Sequence, residues 1–266
     1  MIPREEGRQL RAIVCAPIHN SGQATGVLWL HGGGYVIGSP EQELTYARDI
    51  LDIANAVIVI PDYCLSAEAP YPAALDDAYA ALLWLKDNAD SLGVNRNQIF
   101  VAGQSAGGGL TAAVTALARD KGEVAVAFQM PLYPMLDDRM NTHSAINNNA
   151  PAWDSHSNRI CWRMYLKDSF GTENVSSYAA PARLKDYSRL PPTYTFVGDI
   201  EPFHDETVNY IRALQDAGVS AKVDVFKGCY HAFDTIGADK DIGKEATRRW
   251  VEEFKHAVEN HFATQP

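Results

Sequence analysis

Ser105 lies in Gly103-Gln104-Ser105-Ala106-Gly107, which fits G-x-S-x-G. That spacing suits a serine held on a sharp strand-to-helix turn, with its hydroxyl standing above a sheet. The flanking glycines remove side chains that would collide at such a turn. A serine placed this way becomes a nucleophile once a base takes its proton. The plain alternative is a serine N-cap in a glycine-rich turn; the apolar run before it and the small-residue helix after it favour the nucleophile. A second glycine run, His31-Gly32-Gly33-Gly34, follows an earlier apolar run. Such a loop lets backbone N–H groups approach a tetrahedral oxyanion, and the first N–H of the helix at Ala106 completes the set. It has neither the Gly-Lys-Ser/Thr of a phosphate loop nor G-x-G-x-x-G spacing. His231 follows the last apolar run, and Asp199 and Glu201 both follow the run that ends at Val197. Serine, carboxylate and histidine are the residue types an acyl-transfer triad needs, with either carboxylate able to orient an imidazole, although a lone histidine is more often a structural residue.

These residues need a scaffold that brings distant turns together. Short apolar runs at Gly26–Leu30, Val57–Ile60, Gln98–Ala102, Val124–Met130, Thr193–Val197 and Lys222–Phe226 read as strands. Helical spacing falls between them at Glu41–Ala54, Ala73–Ala89, Ala106–Arg119 and Glu206–Asp216, and after them at Asp239–Phe262. Alternation of this kind predicts an α/β fold: a mostly parallel sheet with helices on both faces. Ligand sites then fall at the carboxyl ends of the strands, which is where each motif lies. The rhythm breaks between Pro131 and Pro192, a stretch carrying Asn147-Asn148-Asn149 and the aromatics Trp153, Trp162, Tyr165 and Phe170. A segment this long predicts a functional insertion, read as a small cap over about 135–180 in a single domain spanning 1–266.

The composition excludes several classes. The 266 residues are long enough for a full core without staples. A net charge of −10 and no basic stripe argue against nucleic-acid and anionic-membrane partners. No apolar run approaches the roughly 18 residues of a membrane span. Met1-Ile2-Pro3-Arg4-Glu5-Glu6 carries no apolar stretch behind it, so no signal peptide is expected. Cys15, Cys64, Cys161 and Cys229 are scattered and read as free thiols of a reduced, cytoplasmic setting. No metal-ligand spacing appears, and the chemistry calls for no cofactor.

Together the motifs resemble the hormone-sensitive-lipase-like branch of the α/β-hydrolase superfamily, the HGGG carboxylesterases, along nearly the whole chain. His31-Gly32-Gly33-Gly34-Tyr35 resembles its oxyanion loop. Pro61-Asp62-Tyr63-Cys64-Leu65-Ser66-Ala67-Glu68 and Pro72-Ala73-Ala74-Leu75-Asp76-Asp77 resemble its DYRLAPE…PAALED stretch. Gly103 to Gly108 resembles its GDSAGG elbow, and His231-Ala232-Phe233 its HGF motif. Glu201-Pro202-Phe203-His204-Asp205-Glu206 matches the family's D-P-L-R-D-E with Glu in first place, thirty residues before His231 as in the family. The resemblance therefore implies Ser105, His231 and Glu201 as the triad, with Asp199 the alternative acid and Asp205 a loop support. It also implies that Gly33, Gly34 and Ala106 form the oxyanion hole.

The sequence departs from the family at Gln104 for Asp, at Cys64 and Ser66 for Arg and Pro, and at Cys229 for a small residue. Its oxyanion loop begins at residue 31, where the family carries several dozen more residues as an N-terminal cap. Tyr35, Trp153, Trp162 and Tyr165 are candidate pocket walls. The expected activity is hydrolysis of a small-molecule, short-chain ester. The rival readings are an amidase, arylformamidase or peptidase, a lipase, and a non-catalytic ligand-binding module. The resemblance further implies a homodimer through the last strand and helix, although the Trp250, Phe254 and Val258 stripe reads better as a core face.

Overall fold

The computed structural model describes residues 1–4, 8–19 and 22–266; Glu5 and Glu6 of the polar N-terminal stretch lie outside the described residues. Among them the strands are β1 (Ile2–Pro3), β2 (Gln9–Leu10), β3 (Ala12–Cys15), β4 (Ala24–Leu30), β5 (Ala56–Pro61), β6 (Val94–Gln104), β7 (Phe128–Leu132), β8 (Thr193–Gly198) and β9 (Ala221–Phe226). The helices are α1 (Leu44–Leu51), α2 (Ala73–Asp87), α3 (Ala106–Lys121), α4 (Ser155–Leu166), α5 (His204–Asp216), α6 (Phe233–Ile236) and α7 (Asp241–Asn260).

The main sheet runs β3-β5-β4-β6-β7-β8-β9, with β1 and β2 forming a separate pair. From β5 to β9 neighbouring strands are parallel, and β3 is antiparallel to β5 at one edge. Helices on both faces bury every residue of β4, β5, β7 and β8. This is why those strands appear in sequence as continuous apolar runs rather than alternating ones. At the opposite edge, β9 leaves Val225 47% exposed.

The predicted strands and helices recur with two instructive shifts. The run from Val124 pairs only from Phe128, because Val124 to Ala127 serve as the approach to the sheet. The expected helix from Glu41 is split into a 3₁₀ turn, Pro40–Glu43, and α1. Glu43 ends that turn fully buried, which a polar Glu-Gln-Glu stretch does not announce. The α7 stripe faces inward: Trp250 and Phe254 lie in the core, and Trp250 packs against Trp29 and Tyr46. The stretch between β7 and β8 carries α4, which is capped by Asp154 accepting from the Ser157 N–H at 2.7 Å. Its Tyr165 carbonyl accepts from the Tyr71 N–H at 2.8 Å, tying the insertion to the body.

Candidate active site

The end of β6 delivers Ser105 at φ 59° and ψ −120°, a conformation costing a non-glycine residue on the order of 1–3 kcal/mol. Two main-chain bonds, one to the end of β7 and one to the turn after it, hold it there: Ser105 N–H to the Leu132 carbonyl, and Met135 N–H to the Ser105 carbonyl, each 3.0 Å. The elbow also presses on the end of β4. A Cβ on Gly107 would lie 2.0 Å from the Leu30 carbonyl oxygen, and one on Gly103 would lie 2.5 Å from it, so neither position accepts a side chain.

The loop after β9 carries His231 to this serine. Its Nε2 lies 2.8 Å from Ser105 Oγ, and its Nδ1 lies 2.5 Å from Glu201 Oε2. The other carboxylate oxygen, Glu201 Oε1, accepts the Gly198 N–H at 3.0 Å, so both oxygens of this fully buried acid are engaged. Asp199 points elsewhere: its Oδ1 accepts the Gly228 N–H at 2.6 Å, joining the acid-bearing loop to the histidine-bearing one. Asp205 accepts from the Ser144 N–H and pairs with His204, a loop-supporting contact. Ser105 and His231 are 4% and 5% exposed.

The glycine loop lies beside the elbow. Gly33 (φ 112°) and Gly34 (φ 62°) adopt backbone angles open to glycine, and the Gly33 carbonyl accepts from Val36 and Ile37. At the loop's start, His31 Nδ1 lies 2.7 Å from the Gly32 carbonyl and its ring stacks on Tyr63 at 4.0 Å. Tyr63 in turn donates to the His31 carbonyl at 2.8 Å. The Cys64 and Ser66 stretch is held by its main chain: Cys64 N–H to Asp77, and Ser66 N–H to the Tyr35 carbonyl. Those bonds do not use the departing side chains.

Three of the four predicted pocket walls are corrected. Tyr35, Trp162 and Tyr165 are 1%, 0% and 1% exposed. Tyr35 and Tyr165 stack at 4.0 Å, with Trp162 beside them, so this trio is packed core beneath the loop. Trp153 alone keeps partial exposure, 6.1 Å from the His231 ring. A Cβ on Gly34 would lie 2.7 Å from Trp153 Cη2 and 2.8 Å from Cys161 Sγ, so those two side chains roof the glycine loop. Tyr133 and Phe203 present ring edges to His231 at 4.9 and 5.0 Å. The sequence reading missed both, because neither belongs to a catalytic pattern.

Behind the imidazole lies a buried acid that the sequence did not reveal. Asp234 Oδ2 accepts from Tyr46 at 2.8 Å, and the Tyr46 hydroxyl lies 2.7 Å from that of Tyr133. Burial pushes the Asp234 carboxyl up from 3.8 to about 6, against the pull of the two tyrosine hydroxyls. The folded chain thus holds this proton more tightly than the unfolded one. Its stabilising contribution is full below pH 3.8 and is lost as pH rises through about 6. At about 1.4 kcal/mol per pH unit the loss approaches roughly 3 kcal/mol. Asp234→Asn keeps an acceptor for Tyr46 and removes the charge. Denaturation midpoints should therefore fall between pH 4 and 7 by less in the variant than in the parent protein. Parallel curves would place the ionisation elsewhere.

Comparisons with known proteins give the family. A family model described as the alpha/beta hydrolase fold matches residues 27–235. The chain belongs to the α/β-hydrolase fold family, in its hormone-sensitive-lipase-like carboxylesterase branch. It is 33% identical over 228 residues to Esterase LipI of Mycobacterium tuberculosis, covering 85% of this chain and 71% of that protein. It is 32% identical over 235 residues to Carboxylesterase NlhH of the same species, covering 87% and 73%. Among solved structures, a bacterial heroin esterase superposes with a TM-score of 0.93 at 33% identity, covering 97% of this chain and 82% of that one. Among the described residues, no helix is long and apolar enough to cross a membrane.

Proposed function

We propose that this carboxylic ester hydrolase is a serine esterase acting on short-chain acyl esters through Ser105, His231 and Glu201. The observation that carries the reading is the continuous contact from Ser105 Oγ to His231 Nε2 and from His231 Nδ1 to Glu201 Oε2. His231 takes the Ser105 proton as Oγ attacks the ester carbonyl carbon. The oxyanion that forms is met by the N–H groups of Gly33, Gly34 and Ala106. His231 then gives its proton to the departing alcohol, leaving the acyl group on Ser105. Water repeats the sequence: His231 takes its proton, the acyl–oxygen bond breaks, and the acid leaves with Ser105 reprotonated. Glu201 fixes the imidazole tautomer and stabilises the imidazolium.

The short-chain preference is supported by crowding. Trp153 and Cys161 close over Gly34, and Tyr133, Phe203 and Trp153 surround the imidazole. An intact triad argues against a non-catalytic binding module. Free thiols at all four cysteines fit a reduced, cytoplasmic setting. The open edge at β9, with Val225 exposed, fits association of two copies through the last strand and helix.

The deciding experiment is hydrolysis of p-nitrophenyl acetate, butyrate, octanoate and palmitate, with Ser105→Ala as the blank and matched anilides as the amide control. The expected result is Ser105-dependent turnover that falls steeply beyond butyrate. Faster anilide than ester turnover would make the protein an amidase. Activity rising toward palmitate, with activation on aggregated substrate, would make it a lipase.

A further inference from the structure

The elbow carries Gln104 where the family resemblance leads one to expect aspartate, and the structure shows where that amide goes. Gln104 Nε2 donates to Glu43 Oε1 at 3.2 Å, and Glu43 Oε2 accepts from Trp29 Nε1 at 2.7 Å. Glu43 is 1% exposed. The Gln104 carboxamide also lies flat beneath the glycine loop: a Cβ on Gly32 would be 2.4 Å from Nε2 and 2.6 Å from Oε1. Burial pushes the Glu43 carboxyl up to about 7, while Trp29, Gln104 and the Gly32 amide all favour its ionised form and Asp234 opposes it. One buried carboxylate thus joins three segments: the end of β4 with the loop that follows it, the turn at Pro40–Glu43, and the end of β6.

Two of those segments supply the oxyanion donors. Gly33 and Gly34 directly follow Gly32, and Ala106 is two residues beyond Gln104. We infer that Glu43 is a positioning residue for the oxyanion hole, bridging through Gln104 and Trp29 the two backbone segments whose N–H groups meet the developing charge. It touches no substrate. The separation it sets is the distance between the glycine-loop donors and the elbow donor. Donors contribute most when held in place before charge develops, so a slack bridge weakens the transition state more than the bound ester. The inference rests on the esterase reading above.

The test is a mutant cycle on p-nitrophenyl butyrate. Glu43→Ala leaves the Trp29 N–H and the Gln104 amide without their shared acceptor. The expected result is a kcat lower by about ten- to a hundred-fold with KM changed by less than about threefold. Gln104→Ala, which breaks the bridge from the other side, should show the same split. The double variant should be no worse than the more severe single one, as for residues acting as a unit. Glu43→Gln should recover kcat to within about fivefold of the parent, because its carboxamide can accept from Trp29 while donating to a turned Gln104 amide. Near-UV circular dichroism checks that each variant is folded.

Singles whose losses multiply in the double would overturn the inference. So would a folded Glu43→Ala or Gln104→Ala that keeps kcat within about threefold, or a loss confined to KM. If Glu43→Ala does not fold, Gln104→Ala and Glu43→Gln decide alone. Parent protein without Ser105-dependent turnover would instead overturn the esterase reading, and the bridge with it.

Discussion

Replacing Ser105 by alanine is expected to lower kcat on a short-chain p-nitrophenyl ester by about four to six orders of magnitude, because triad members act as a unit. On the proposed mechanism the hydroxyl 2.8 Å from His231 Nε2 forms the covalent intermediate, and alanine offers no substitute. What remains is the rate the oxyanion donors and substrate binding give to an attacking water. His231→Ala should fall to the same floor, and the double variant should fall no further. Alanine meets the same backbone penalty as serine at a φ of 59°, so the denaturation midpoint should move little. A folded Ser105→Ala protein that keeps more than a few per cent of the parent rate would assign the nucleophile elsewhere.

Glu201→Gln is expected to cost on the order of 10³–10⁴-fold in kcat. The two oxygens of Glu201 accept from two different donors, His231 Nδ1 and the Gly198 N–H. A carboxamide has one oxygen and one NH₂ group, so either orientation sets a donor against a donor. If the NH₂ faces His231, the imidazole takes the tautomer with its proton on Nε2 and cannot accept the Ser105 proton. If it faces Gly198, a buried N–H loses its partner and the loop shifts, and in both cases the imidazolium loses its buried counter-charge. Asp199→Asn retains an oxygen for the Gly228 N–H and should leave kcat within about tenfold. The reverse ranking, with Asp199→Asn the severe variant, would move the acid role to Asp199.

The legible part of this site consists of residues whose identity and chain order are themselves the signal. Ser105 between its glycines, the His31 to Gly34 run, and a histidine after the last strand are local patterns, and each lies at the carboxyl end of a strand in the fold. The choice of Glu201 over Asp199 came from motif resemblance, since spacing from the strand end admits both. The aromatic residues were harder to place. Tyr35, Trp162 and Tyr165 pack into the core, whereas Trp153, from the same insertion as Trp162 and Tyr165, roofs the glycine loop. Burial depends on which way a segment without periodicity turns, and no local rule states that.

Glu43 and Asp234 show the same limit more sharply. A charged side chain is ordinarily assigned to the solvated surface, yet both are buried with their carboxyl groups held well above the ordinary range. Their partners come from other elements, Trp29 from β4 and Gln104 from β6 for one, and Tyr46 from α1 and Tyr133 from the turn after β7 for the other.

The sequence by itself determined the layered α/β architecture and singled out Ser105, His231 and the glycine loop as candidates for nucleophile, base and oxyanion donors. Apolar runs, helical spacing and glycine punctuation are local constraints that each segment carries within it. Only the tertiary structure decided which carboxylate meets the imidazole, which aromatic roofs the site, and that two buried acids stand behind it. Those are contacts between segments many residues apart, and packing rather than pattern sets which side chain reaches which partner.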